Sequence, residues 1–265
     1  MTDRRLSAAP ATPVAAGSPA LLLIAHGSRD PRHAAAVAAL VAQVRALRPG
    51  LDVATAYLDH CAPRIPQVLD RLGPAAVAVP LLLNRAFHAK HDIPAALRAA
   101  GADLPVADVL GPSPLLLCAL DRRLTEAAPA LASPAVRART GVVLAAAGSS
   151  DPAADAATRA VAAEWRRTRG WAAVEVAYAS AGGPRVPDAV ATLRRTPAVD
   201  RVAVSPYLLA PGLLPDRIAE AAAGAGAGAD HLAAPLAPTP DLARLLLTRY
   251  DEARTAAETT PALTA

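Results

Sequence analysis

Aromatic side chains make up only 3% of the 265 residues, so any core must be built from aliphatics. The 53% apolar content, rich in alanine, is ample for one large domain or two of ordinary size. Lysine occurs once, at Lys90, among 27 basic residues, and the net charge is +4. No Lys/Arg block interleaved with aromatics occurs, which argues against a nucleic-acid surface and leaves acidic small molecules as suitable ligands. The two cysteines, Cys61 and Cys118, form no motif and no disulfide framework, which fits a reducing cytoplasm. No apolar run approaches 18 residues, which excludes a membrane helix. The first 19 residues carry three prolines and no continuous apolar stretch to serve as a leader, and they predict a disordered tail.

What is present is alternation. Leu21–Ala25, Val53–Leu58, Ala75–Leu83 and Val106–Leu110 are short, nearly continuous apolar runs bounded by Gly, Pro or Asp, and they predict buried strands. Between and after them, Arg32–Arg48, Arg64–Leu72, Asp92–Ala100 and Pro114–Ala128 predict helices. Strands alternating with helices imply right-handed crossovers and a parallel sheet covered on both faces.

The order then repeats. Val142–Ala146, Val174–Tyr178, Arg201–Leu209 and a weak Asp230–Ala233 predict strands, and Pro152–Arg169, Arg185–Arg195, Pro215–Ala223 and Asp241–Ala257 predict helices. At an offset of 121 positions, VATAYLDHCAPRIPQVLDRL aligns with VEVAYASAGGPRVPDAVATL, and after a five-residue insertion VAVPLLL meets VAVSPYLL. The chain is therefore expected to be α/β, with two homologous domains of four parallel strands each, related by internal duplication. The expected boundaries are a tail over 1–19, a first domain over 20–128, a Pro- and Ala-rich linker over 129–140 and a second domain over 141–258.

Duplication separates what folding needs from what chemistry needs. LLLIAHGSRDP at residues 21–31 returns as VVLAAAGSSDP at residues 142–152. Gly-Ser and Asp-Pro survive, but His26 has become Ala147. Asp59 at the end of the second strand is matched by Ser180, and His88 after the third strand by Leu214. Ligands of open parallel sheets bind beyond the carboxyl ends of the strands. Three such ends carry a metal-capable group in the first half and none in the second. Two imidazoles and a carboxylate suit Fe²⁺, Co²⁺, Ni²⁺ or Zn²⁺.

Gly27-Ser28 has two readings: a seat for a carboxylate or phosphate on free backbone N–H groups, or turn and capping chemistry alone. Asp30-Pro31 and Asp151-Pro152 suit N-cap and N1 positions. His33 is expected on a solvated first turn. His60 would point away from Asp59 if the strand continued, His91 could share a helical face with His88, and His231 begins a weak strand. G-x-G-x-x-G after a strand, the P-loop and H-E-x-x-H are absent, as is the G-x-S-x-G elbow.

LLLIAHGSRDP, VATAYLDHCAP and VAVPLLLNRAFHAKHDIP resemble the class II tetrapyrrole chelatases, specifically the sirohydrochlorin chelatases of sirohaem and cobalamin synthesis. The likeness covers most of residues 20–125, with the second half a degenerate copy. It implies a chelatase-like fold and a lyase inserting Fe²⁺ or Co²⁺ into sirohydrochlorin, with His26 and His88 as metal ligands. Asp59 falls where the family more usually has glutamate, and would ligate or accept a proton. Ser28, Arg29, Arg85 and Lys90 would meet the ring's eight carboxylates. No cofactor beyond the substrate metal, no nucleic acid, no membrane and a monomer are expected. Two alternatives stand beside this reading: a chelatase for another tetrapyrrole, such as a porphyrin ferrochelatase or nickel chelatase, and a non-catalytic metal or tetrapyrrole carrier.

Overall fold

Two strands whose residues are buried on both faces set the architecture: β1 (Ala20–Ala25) and β4 (Thr140–Ala146). The structure, a computed structural model, describes residues 17–72, 75–84, 92–224 and 228–259. In the first half β1 lies between β2 (Val53–Tyr57) and β3 (Ala76–Pro80), all parallel, in the order β2-β1-β3. In the second, β4 lies between β5 (Ala173–Tyr178) and β6 (Arg201–Pro206), with β7 (His231–Leu232) outside β6.

The registers carry the duplication into space. Leu21 pairs with Val53 and Val142 with Val174, the same pairing displaced by 121 positions. Leu21 also pairs with Val77 and Val142 with Ala203, where the five-residue insertion has shifted the third strand.

Among the described residues the first sheet has three strands rather than the expected four. Val106 forms only an isolated bridge with Ala78. Pro105 supplies a carbonyl there but has no N–H, and Asp108 turns its carboxylate onto the N–H of Val109 at 2.7 Å. The chain then runs on beside Leu82 and Leu83, with the N–H groups of Leu110 and Gly111 bonded to their carbonyls.

Helix α1 (Pro31–Leu47) starts where the sequence places its cap: the Asp30 carboxylate accepts the N–H of Arg32 at 2.9 Å, and Pro31 occupies the first turn. Helix α6 (Pro152–Arg169) repeats the device with Asp151 and the N–H of Ala153, and ends on Gly170 in the left-handed conformation. Helices α2 (Ile65–Leu72), α3 (Ile93–Ala99), α7 (Val186–Arg194) and α8 (Leu213–Ala223) flank the sheets. The period-two alternation of strands sorts the layers. Leu21 and Leu23 face one core cluster, while Leu22 and Ile24 face another with Val68 and Ile93. In β4, Val142 and Leu144 join the first of these, and Val143 and Ala145 face a third with Val190 and Ile218.

The shared cluster exists because the last helix of each half crosses to the other. Helix α4 (Pro114–Ala127) packs on β6 and β7, and α9 (Pro240–Thr259) packs on α1, α4 and β3. Arg48 pairs with Asp251 through two bonds of 2.6 and 2.7 Å, and Tyr250 donates its hydroxyl to the Pro19 carbonyl at 2.6 Å. Burying each leucine of this layer contributes about 1.5–3 kcal/mol. Residues 129–140 are folded against it: a 3-10 turn over Pro129–Ala132 buries Leu131, and the four-residue helix α5 (Pro134–Arg137) places Arg137 over the Trp171 ring. No helix among the described residues is long and apolar enough to cross a membrane.

Candidate active site

The strand ends converge on one cleft. β1 ends at Ala25, and the next residue, His26, is exposed and lines a cleft of about 710 Å³. The opposite wall is its own duplicate, Ala146 to Asp151 of the second half, joined by Leu82 to Asn84 and Tyr207 to Leu209. Leu214, the counterpart of His88, also lines it. The cleft thus lies beyond the carboxyl ends of both sheets, where parallel α/β proteins bind ligands. Asn84 spans it, donating its amide to the Thr158 hydroxyl at 2.9 Å. His88, Arg85, Lys90 and His91 lie outside the described residues.

Gly27 holds His26 and Asp59 together. Its φ is +94°, and a Cβ on it would stand 1.8 Å from the Asp59 carbonyl oxygen. The two segments are also laced by hydrogen bonds: Asp59 N–H donates to the His26 carbonyl at 2.8 Å, and Leu58 N–H to the Ala25 carbonyl at 2.9 Å. The second half reproduces this framework, with Ser180 and Ala179 donating to the carbonyls of Ala147 and Ala146 and Gly148 at φ +91°. The same backbone therefore presents His26 and Asp59 in one copy and Ala147 and Ser180 in the other. There the Ser180 hydroxyl only closes the loop, donating to the Ala147 carbonyl at 2.6 Å.

Asp59 is about half exposed, and its carboxyl is held below the usual carboxylate range. The backbone N–H of His60 is the main cause, followed by the Arg64 guanidinium. Arg64 itself is anchored by donating to the Leu58 carbonyl. Ser28 does not offer the free N–H of the anion-seat reading, because that group points at Cys61 Sγ at 3.4 Å. The Ser28 hydroxyl accepts from Asp30 N–H at 3.1 Å, and Ser149 does the same for Asp151 at 3.0 Å. An identical bond in both halves marks turn chemistry. The Cys61 thiol in turn donates to the Ser28 carbonyl at 2.9 Å, a tie that cysteine spacing could not reveal. Arg29 is exposed beside this turn.

Two other histidines depart from their expected settings. His33 is half-buried rather than solvated: it packs beside Tyr57, its Nδ1 is buried without a hydrogen-bond partner, and burial, followed by the proximity of His26, lowers its pKa. The solvated reading overlooked that α1 turns its first residues toward the end of β2. His60 does not point away, because β2 stops at Tyr57 and His60 takes a left-handed φ of +61°. Its ring comes to 6.1 Å from that of His26, edge to face. Among the described residues, no group of three or more His, Cys, Asp or Glu side chains is disposed to hold a metal ion.

This is a duplicated parallel α/β protein whose two equivalent strand ends differ in their side chains, His26 and Asp59 in one and Ala147 and Ser180 in the other, on the architecture of the chelatase fold. SirB from Bacillus subtilis, solved with Fe³⁺, superposes with a TM-score of 0.74 at 23% identity, covering 90% of this chain and 96% of that one. The sirohydrochlorin chelatase SirB from Bacillus subtilis subspecies spizizenii, in complex with cobalt, superposes with a TM-score of 0.69 at 23% identity, over the same shares of the two chains. A sirohydrochlorin ferrochelatase of Priestia megaterium is 29% identical over 211 residues, 76% of this chain and 77% of that protein. The CbiX family model matches residues 20–127 and again 141–253, and the chain belongs to the CbiX family.

Proposed function

We propose that this protein inserts Fe²⁺ or Co²⁺ into sirohydrochlorin, with one active site in the first half facing the cleft. The observation that carries this reading is the cleft itself: it is built from two copies of one strand end, and only one copy retains His26. Its volume of about 710 Å³ is that of a small-molecule site. The named activity of the Priestia megaterium relative supports the choice of substrate. The metal ion is a substrate here, and the reaction exchanges one divalent ion for the two protons on the ring nitrogens.

The residues divide the work. His26, with His88, would hold the ion weakly on one face of the ring, through neutral imidazoles that can afterwards accept protons. Asp59, kept ionised by the His60 N–H and Arg64, would order the loop beside His26. Arg29, with Arg85 and Lys90, would meet ring carboxylates, and the Ser28 hydroxyl would lend a donor. An open set of ligands favours release into the ring, whereas a carrier needs a closed set. The same reading takes residues 20–128 and 141–258 as the two modules of a cytoplasmic monomer, since both walls of the cleft come from one chain. No resident cofactor is required.

The test is anaerobic mixing of the pure protein with sirohydrochlorin and Fe²⁺, Co²⁺ or Ni²⁺, following the absorbance of the metallated ring. Acceleration over the background rate that is lost in His26→Ala and His88→Ala is expected. A rate equal to background with every metal overturns the proposal. Faster insertion into a porphyrin than into sirohydrochlorin would assign the activity to another tetrapyrrole.

A further inference from the structure

The loop after β2 folds a second imidazole back toward His26. His60 sits at φ +61°, and its ring centroid lies 6.1 Å from that of His26. With metal–nitrogen bonds of about 2.0–2.1 Å, two imidazoles sharing one ion hold their centroids roughly 4.5 to 6.5 Å apart. Asp59 is committed to its own loop: Oδ1 accepts the His60 N–H at 2.7 Å and faces Arg64 Nη2 at 3.3 Å, while Oδ2 lies 3.4 Å from His60 Nε2. A carboxylate beside one ring nitrogen of a histidine biases the ring's orientation and leaves its other nitrogen available to a metal.

We propose that His60 is a contact of the incoming metal ion, paired with His26, and that Asp59 is the residue that positions it. This deepens the chelatase reading and rests on it for the destination of the ion. The left-handed backbone at residue 60 is part of the device. A β-branched side chain is disfavoured in that conformation, whereas histidine, aspartate and asparagine are among the non-glycine residues enriched there. One left-handed residue thus converts a strand end, whose side chains alternate between faces, into a loop that brings His60 back toward His26. The side chain of Asp59 serves the same loop as an anchor. The second half lacks the pair: Ala147 stands for His26 and Ala181 for His60.

The test is anaerobic Co²⁺ titration of the full chain by visible absorption, with wild type, His60→Asn, Asp59→Asn and the double variant. Asparagine tolerates the left-handed backbone, and His60→Gly serves as a second variant freer still of strain. Weaker Co²⁺ binding by at least about tenfold in His60→Asn, with a changed ligand-field spectrum, is expected. Asp59→Asn should weaken binding as well, and the double variant should bind no more weakly than His60→Asn alone, because Asp59 acts through His60. Unchanged affinity and spectrum in both His60→Asn and His60→Gly overturn the proposal. Further weakening by Asp59→Asn in the His60→Asn background overturns the positioning role. Insertion assays separate the two readings. Co²⁺ bound through His60 without insertion into sirohydrochlorin would refute the proposed function and leave this site standing; insertion by wild type with Co²⁺ binding unaffected at His60 would do the reverse.

Discussion

Gly27 lies so close to the Asp59 carbonyl that a methyl group on it would stand 1.8 Å from the oxygen. At φ +94° the residue is also in a conformation that costs an L-residue about 1–2 kcal/mol. Gly27→Ala must therefore push the two segments apart. Destabilisation by at least about 2 kcal/mol is expected from denaturant unfolding. Metal insertion should fall by about a hundredfold or more, because displacements of about 1 Å suffice for that. Gly148→Ala, whose Cβ would stand 2.1 Å from the Ala181 carbonyl, should cost similar stability with a smaller loss of activity.

Arg29 is exposed beside His26 and makes a separable prediction. Arg29→Ala should raise KM for the tetrapyrrole about fivefold, the equivalent of about 1 kcal/mol for an exposed charge-assisted contact. KM for the metal should stay unchanged. The difference between wild type and variant should shrink as salt is added, since exposed charges are screened. Steady-state kinetics with each substrate varied in turn, at two ionic strengths, checks all three statements.

Asp121 joins the halves from within. Its Oδ1 accepts the Trp165 indole N–H at 2.8 Å, and Arg137 and Arg169 stand 3.6 and 3.5 Å from Oδ2. Burial pushes its carboxyl up against the opposing pull of these donors. Removing it leaves the buried Trp165 N–H without its acceptor and two guanidinium groups without their carboxylate. Asp121→Ala should cost about 3 kcal/mol, and at about 2–4 °C per kcal/mol lower Tm by roughly 6–12 °C. Asp121→Asn, which keeps an acceptor for Trp165, should lose less. Thermal unfolding of the two variants at pH 7 makes the comparison.

His33 supplies a pH dependence. Burial lowers its folded pKa below the unfolded value of 6.5, so as the pH falls the unfolded chain takes up the proton first. Its contribution is therefore intact at pH 7.5 and is lost as the pH falls through 6.5 towards the lower folded value. His33→Leu cannot take up that proton, and it also removes the unpartnered Nδ1. The variant should gain stability relative to wild type between pH 7.5 and 5.5, as read from unfolding free energies at each pH. A constant difference across that range would contradict the assignment.

Much of this arrangement is legible in the chain. The caps at Asp30 and Asp151, the strand cores of β1 and β4 and the 121-position repeat follow from local rules: short polar side chains accept first-turn N–H groups, and buried parallel strands are continuously apolar. The singling out of His26 and Asp59 follows from comparing one half with the other. The turn at His60 was not legible, because alternation along a strand predicts a side chain's face only while the strand lasts. The burial of His33 was missed for a related reason: the first turn of a helix reads as solvated until the neighbouring strand end is in place.

By itself, the sequence determined the order of elements, the duplication and its register, and which half carries the strand-end histidine and carboxylate. Each of these is written in local hydrophobic pattern and in residues near one another along the chain. Only the tertiary structure decided that α4 and α9 cross between halves, that the fourth strand of the first sheet shrinks to a bridge, and that His60 returns to His26. Those outcomes rest on packing and backbone bonding between segments tens to hundreds of residues apart, and on one left-handed residue, none of which a local pattern encodes.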